Sequence, residues 1–550
     1  MNPLPALKET REDVGPIRTQ PGLLDGSSPK NILVLQLARL GDLVQTWPLL
    51  SRLRRAYPGA RLTLLTDRRL LPLQAAGPEV DEVIGFDFLQ LGSLAAANWP
   101  GAYRLLAGLH RDLQTRQFDL VFNLNFSRLS LLLTHLLGAQ AKGYLPAAGG
   151  REFSREPWLA WIYGLVHARR FNRFHLTDVF RHLALESGMA PAMGRAGAGL
   201  KDEPVIALQL ATRHERRTWP LTHFTRLAEY LASQLSARVL LLGTQAERSL
   251  GEKLRAALPP KLRERVVNLQ GQTGLEELVG QLKQTHFLVS GDTGTLHLAA
   301  ALGVPTAALF LGPALCFETG PYGPGHYVLQ AEPPCHPCTE AASPCPEEGP
   351  ICLEMLPPEA VGRLVSGLVE TGTAAGDLPL PAGSRLYGSD MDAFGVFYQY
   401  LGKEPLRFPD LVGDAYRRAG AWLAEAGREG NVGANLVFAL DAGRTQGSPL
   451  RAKNPFDGEG VLDPSPKPSP PTSHRRKENL PDEVLKRLEL TLAVLNRGWQ
   501  FPQNMPEVAA ALRPLLAFQA EMQRQRKESL FTGVKSVFNT HLVSLLQATR

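Results

Sequence analysis

In "HFLVSGDTGTLHLAAALGVPTAALFLG", residues 286–312, an apolar run stops at Gly-Asp-Thr-Gly-Thr, an alanine-rich pattern follows, and a second apolar run closes the stretch. The two apolar runs read as buried strands, and "TLHLAAALG" as a helix between them, ended by Gly303 and Pro305. Strand, helix, strand is the unit of a parallel sheet covered by helices. The polar turn has two readings. In one it caps the helix, with Asp292 or Thr293 accepting a bond from a free backbone N–H. In the other it seats an anion, because a helix N-terminus offers unpaired N–H groups and a favourable dipole.

The same alternation extends both ways. "VIALQLA", "ARVLLLG" and "RVVNLQG" precede it as strands, and Thr273 with Glu276 marks a capping box for the helix after the last of these. Upstream, "NILVLQLA", "RLTLLTD", "DEVIGFD" and "FDLVFNLN" form an earlier strand set with helical patterns between several of them. The reading is α/β: two Rossmann-like domains, 31–190 and 204–370, joined by the small-residue linker 187–204. Such tandem domains leave a cleft, and their sheets bind ligands beyond the strand C-termini. Residues 1–30 read as a flexible arm. After 371–384 the strand signals fade into a helical extension (385–446), a Pro-rich linker (447–481) and a helical C-terminal region (482–550).

Across 550 residues, 44% hydrophobic and 20% charged content describes a soluble chain with real cores, and a net charge of +6 is too dilute for a nucleic-acid binder. No apolar run is long enough to span a bilayer, and the first thirty residues lack a signal-peptide core. A cytoplasmic protein is expected, and its five cysteines do not make a disulfide scaffold.

"ILVLQLARLGDLVQTWPLLSRLRRAYPGARLTLL" resembles the opening of the heptosyltransferase-type glycosyltransferases, glycosyltransferase family 9. "NLQGQTGLEELVGQLKQTHFLVSGDTGTLHLAAALGVPTAALFLGP" resembles their nucleotide-sugar half, and the likeness covers roughly residues 30–370. The resemblance implies a GT-B fold, an inverting mechanism, an ADP-heptose-like donor and no cofactor for catalysis. Inverting transfer needs one base to take the acceptor hydroxyl's proton. The resemblance gives that role to Asp42, in "ARLGD", with Gly41 allowing a close backbone approach. Pro48 predicts a regular helix only from about Thr46, leaving Asp42 on a loop; a helix cap is the plainer reading of this Asp.

A departing nucleoside diphosphate needs positive charge or N–H dipoles. Thr293, Gly294 and Thr295 can offer backbone N–H groups, while Asp292 orients the turn or binds a donor hydroxyl. His297 is a further donor-side candidate, although a packed core position is simpler for it alone. In "ATRHERRTWP" the resemblance places the phosphate-touching cation at Arg217, with Thr212 and Arg213 nearby. Ala314, Leu315 and Cys316 replace the polar trio of the family's "GPTDP" loop. Asp390 and Asp392, a D-x-D pair, read as a helix start. The basic, aromatic segment 151–182 reads either as acceptor-binding or as two ordinary amphipathic helices.

Cys335, Cys338, Cys345 and Cys352 are spaced C-x2-C-x6-C-x6-C, which suits a structural Zn or Fe; unligated thiols are the bland alternative. Taken together, the reading is a transferase moving a heptose-type sugar from a nucleotide donor to a lipopolysaccharide core, in peripheral contact with the inner membrane. The alternatives are a protein acceptor and a degenerate, metal-bound scaffold.

Overall fold

The computed structural model describes residues 28–146, 153–154, 157–184, 203–338, 345, 349–372, 374, 378–429, 481–496, 506–524 and 528–549. The expected arm up to residue 27, the linker over 187–202 and the Pro-rich stretch 447–480 lie outside these residues. The chain divides into two compact units. One comprises Met1–Ala38, Leu53–Leu71 and Val80–Glu156; the other comprises Arg39–Arg52, Pro72–Glu79 and Pro157–Arg550.

The first unit holds a parallel sheet of β1 (Asn31–Gln36), β2 (Arg61–Asp67), β3 (Glu82–Phe86), β4 (Leu120–Asn123) and β5 (Gln140–Gly143), in the order β3-β2-β1-β4-β5. This is a Rossmann order. β1 is central and apolar on both faces, so Ile32, Leu33, Val34 and Leu35 are all buried. Asn125 clamps its end, accepting from Leu37 N–H at 2.8 Å and donating to the Leu35 carbonyl at 2.7 Å. Helices α2 (Phe88–Ala97), α3 (Trp99–Gln114) and α4 (Arg128–Leu137) contribute leucines to a core that includes Leu33, Leu35, Leu65 and Val121.

Helix α1 (Leu40–Ala56) corrects the expectation drawn from Pro48: it starts at Leu40 and runs through the proline. The missing Pro48 N–H costs one bond, to the Val44 carbonyl. Thr46 Oγ1 bonds back to the Asp42 carbonyl at 2.9 Å, and the Gln45 amide to that of Gly41 at 3.3 Å. Asp42 is on helix, not loop.

In the second unit, α5 (Pro157–Val166) and α6 (Leu176–Arg181) come first. A sheet follows, built from β6 (Val205–Gln209), β7 (Arg238–Leu242), β8 (Val266–Asn268), β9 (Phe287–Ser290), β10 (Thr306–Phe310) and β11 (Tyr327–Ala331). Its order is β8-β7-β6-β9-β10-β11, all parallel. The expected strands are present, and Trp219, Phe224, Leu241 and Val289 lie in the core beneath them. The capping box shifts by one residue: Gly274 caps the helix Leu275–Lys283, and Glu277 accepts its N–H at 2.6 Å.

Residues 384–400 depart from the expected helical extension. They form β12 (Ser384–Asp392) and β13 (Gly395–Tyr400), an antiparallel hairpin added to the edge at β11. Asp392 Oδ1 accepts from Phe394 and Gly395 N–H at 2.9 and 3.1 Å, making the turn, and its carboxylate pairs with Arg417 at 2.5 Å. The D-x-D pair is thus hairpin structure, not a helix start.

Beyond the hairpin run the helix Phe408–Glu429 and the helices Asp482–Asn496, Pro506–Arg524 and Glu528–Thr549. They cover much of the described part of the segment 151–182. Trp161 on α5 is fully buried, with ring centroids 5.4 Å from Tyr416 and 5.3 Å from Phe518; Tyr416 stacks on Phe538 at 4.8 Å. Three of its arginines are tied down as well: Arg169 to Glu318 at 2.6 Å, Arg173 to Asp410 at 3.2 Å, and Arg181 to Asp178 at 3.0 Å. Trp161→Ala should therefore cost ~3–5 kcal/mol of stability, read as an earlier urea transition. Unchanged unfolding would return Trp161 to a surface role.

Candidate functional site

Strand order in the second sheet reverses between β6 and β9: the chain moves from β6 to β7 on one side and later enters β9 on the other. Such a switch point opens a crevice beyond the strand C-termini. The loops leaving β6 and β9 are the segments 210–218 and 291–293, which carry most of the expected donor-side residues. They lie side by side. A Cβ on Gly291 would meet Thr212 Cγ2 at 2.8 Å and the Arg217 carbonyl at 3.3 Å, so only glycine lets them pack this closely.

Arg217 crosses from the first loop to the second, its Nη1 donating to Asp292 Oδ2 at 2.7 Å. Asp292 is 9% exposed. Burial pushes its carboxyl up, but His297, Arg217 and Thr319 together hold it below the ordinary carboxylate value. Thr319 Oγ1 donates to it at 3.3 Å, and His297 Nε2 lies 3.5 Å from its Oδ1. Trp219 anchors the first loop from below, donating from Nε1 to the Leu356 carbonyl at 3.0 Å. Thr212 turns inward, bonded to the His214 carbonyl at 2.8 Å.

Thr293 caps the helix Gly294–Ala301, its hydroxyl accepting from Leu296 N–H at 3.2 Å and lying 2.9 Å from Ser290 Oγ. The capping reading of this turn holds for Thr293, not for Asp292. The N–H groups of Gly294 and Thr295 precede the first intrahelical bond, so helix geometry leaves them for another acceptor. Thr295 Oγ1 donates to Gln209 Oε1 at 3.1 Å.

The first turn of α1 packs on this helix start within the second unit. A Cβ on Gly41 would sit 2.8 Å from His297 Cδ2, and one on Gly294 would run into Leu40. The space opposite Gly41 is thus filled by an imidazole, where the sequence suggested room for a sugar. Asp42 follows, half-buried, accepting the Arg39 N–H at 3.2 Å. His297 is packed, 6% exposed, yet its Nδ1 finds no hydrogen-bond partner among the described residues. Nearby His175 is neutral: burial pulls it down to about 3, and with Nδ1 accepting from Thr177 N–H, Nε2 donates to the Gly320 carbonyl at 2.8 Å.

Several residues here escaped the sequence reading. Glu247, just past β7, accepts from Gln209 Nε2 at 2.9 Å and from Thr244 Oγ1 at 3.1 Å, and burial raises its pKa. An acid after the second strand of a Rossmann unit was the available signal. Thr319 supplies a hydroxyl beside Asp292, while Ala314, Leu315 and Cys316 are buried.

The cysteine reading meets a difference. Cys338 and Cys352 lie within electrostatic reach of the other thiols of the quartet. Even so, among the described residues no three His, Cys, Asp or Glu side chains gather to hold a metal ion. The donor chemistry of four thiols suits a soft metal.

The chain thus carries two Rossmann-type sheets, with an arginine and a helix start at the second sheet's switch point. Residues 180–348 match the model of glycosyltransferase family 9 (heptosyltransferase). The likeness to that family lies over those residues. It is 28% identical over 312 residues to lipooligosaccharide heptosyltransferase 2 of Haemophilus influenzae, covering 51% of this chain and 83% of the relative. It is 26% identical over 367 residues to lipopolysaccharide heptosyltransferase 1 of Pseudomonas aeruginosa, covering 62% and 98%. Among solved structures, the ADP-heptose LPS heptosyltransferase II of E. coli aligns at 20% identity and a TM-score of 0.45, over 62% of this chain and 98% of that one. No helix among the described residues is long and apolar enough to cross a membrane.

Proposed function

We propose that this chain is a cytoplasmic enzyme that transfers a heptose-type sugar, with inversion, from an ADP-heptose-like donor to a lipopolysaccharide core acceptor. The observation that carries the reading is the junction of three pieces: Arg217 on its loop, the start of the helix Gly294–Ala301, and the first turn of α1 with Asp42. The relatives' names supply the sugar and the acceptor.

In this reading Asp42 takes the proton of the attacking acceptor hydroxyl. Arg217 and the N–H groups of Gly294 and Thr295 meet the diphosphate, whose bridging oxygen gains charge as the sugar leaves. Asp292 repels phosphate, so its part is to aim Arg217 and, through His297, to hold the turn. Thr212 and Thr293 shape the two loops. Glu247 takes the donor's ribose hydroxyls, as acids at this place in Rossmann units do. Slow hydrolysis of a panel of nucleotide sugars tests the donor: ADP-heptose should turn over fastest, and equal neglect of all donors would defeat the assignment.

A structural zinc or iron on Cys335, Cys338, Cys345 and Cys352 is a separate proposal, supported by donor type and by the mutual reach of the thiols. Protein purified without oxygen should carry about one such ion per chain, reduced by C335S or C338S. Metal-free protein with four titrating thiols would end it.

A further inference from the structure

Strand β6 is apolar until its last residue, Gln209. Gln209 sits at the switch point, in register with Leu242 at the end of β7 and Ser290 at the end of β9. It is 5% exposed, and an amide buried there is costly unless its hydrogen bonds are made. They are made to three loops. Nε2 donates to Glu247 Oε2 at 2.9 Å and to the Ala211 carbonyl at 3.3 Å, while Oε1 accepts from Thr295 Oγ1 at 3.1 Å. The reverse orientation would set the amide oxygen against a carboxylate and a carbonyl, so the two ends are not interchangeable.

One side chain thus joins the acid after β7 to the first turn of the helix Gly294–Ala301, and both to the loop that carries Arg217. Glu247 takes Thr244 Oγ1 on its other oxygen at 3.1 Å, and a Cβ on Gly243 would run into its Oε2. A carboxylate accepts about four hydrogen bonds, so capacity remains for the hydroxyls of a ligand. The Thr295 hydroxyl gives its one proton to Gln209, which leaves the backbone N–H as the donor that Thr295 offers to an anion.

We propose that Gln209 is a positioning residue for the nucleotide, setting the Glu247 carboxylate at a fixed distance from the N–H groups of Gly294 and Thr295. The inference rests on the reading of Glu247 as the ribose contact and of the helix start as the diphosphate contact. Its consequence is that the two ends of the nucleotide are recognised together. A change at Thr295, on the diphosphate side, reaches the ribose through the amide. A nucleotide lacking a ribose hydroxyl is then rejected, because its absence leaves the aimed carboxylate unmatched.

Calorimetric titration of the full chain with ADP and with 2′-deoxy-ADP tests this. The unaltered chain should bind ADP roughly tenfold or more tighter, the scale of one hydrogen bond to a charged group. Q209M keeps the bulk of the side chain and removes its amide. T295V keeps the shape and the backbone N–H and removes the hydroxyl, and it decides alone where Q209M does not fold. Each should weaken ADP far more than 2′-deoxy-ADP, bringing the two within about threefold. E247Q checks the reading underneath and should lose the same discrimination. Discrimination lost in E247Q but kept in either folded variant would overturn the role of Gln209 and leave Glu247 on the ribose. An unaltered chain blind to the 2′-hydroxyl, or E247Q discriminating as well as it does, would remove Glu247 from the ribose and this inference with it.

Discussion

Asp42→Asn should lower sugar transfer by roughly 10²-fold or more while donor binding and folding stay near wild type. The substitution is chosen for what it preserves. Asp42 accepts the Arg39 N–H from the third position of α1, the back-bonding half of a capping box. An Asn carbonyl oxygen can keep that bond, so the helix start survives, but an amide cannot take a proton. Asp42→Ala separates the two roles. A carboxylate that only caps would cost ~1 kcal/mol of stability in the Ala variant and nothing in the Asn variant. Near-normal turnover of D42N would remove Asp42 as the base.

Arg217→Ala should weaken donor binding by roughly ten- to a hundredfold, the scale of one charge-assisted hydrogen bond to phosphate. The single variant is ambiguous, because it also strips Asp292, 9% exposed, of its cation. The double variant R217A/D292N resolves this. If Arg217 serves only to neutralise Asp292, removing the Asp charge should restore donor affinity. If Arg217 touches phosphate, affinity should stay low in the double variant. Calorimetric titration with ADP reads either result.

Much of the scaffold was legible because its signals are local. The strands around Val34, Leu208, Leu241 and Val289 are apolar runs bounded by turn residues, and a parallel sheet buried on both faces leaves them no other reading. The failures share a cause in long-range partners. Trp161 and Phe171 look alike whether they meet a sugar or a core, and what covers Trp161 comes from Tyr416 and Phe518. Pro48 should interrupt a helix by propensity, yet α1 runs through it, because one missing bond does not outweigh the burial of Leu43, Val44, Leu49, Leu50 and Leu53. At the site, Arg217 and the 292–297 turn were readable from motif position. Their pairing depended on β6 lying beside β9, and Glu247 and Thr319 carried no comparable local mark.

The burial of α5 by helices from far downstream has a consequence for how the chain is made. Synthesis is vectorial, at ~5–20 residues per second, so on the order of tens of seconds pass between the emergence of Trp161 and that of Phe518. Through that interval the apolar side of α5 has left the ribosome while the residues that cover it do not yet exist. The nascent second unit is therefore a natural client for a chaperone until its last helices arrive, and ribosomes stalling before Phe518 should yield fragments that proteases clear quickly.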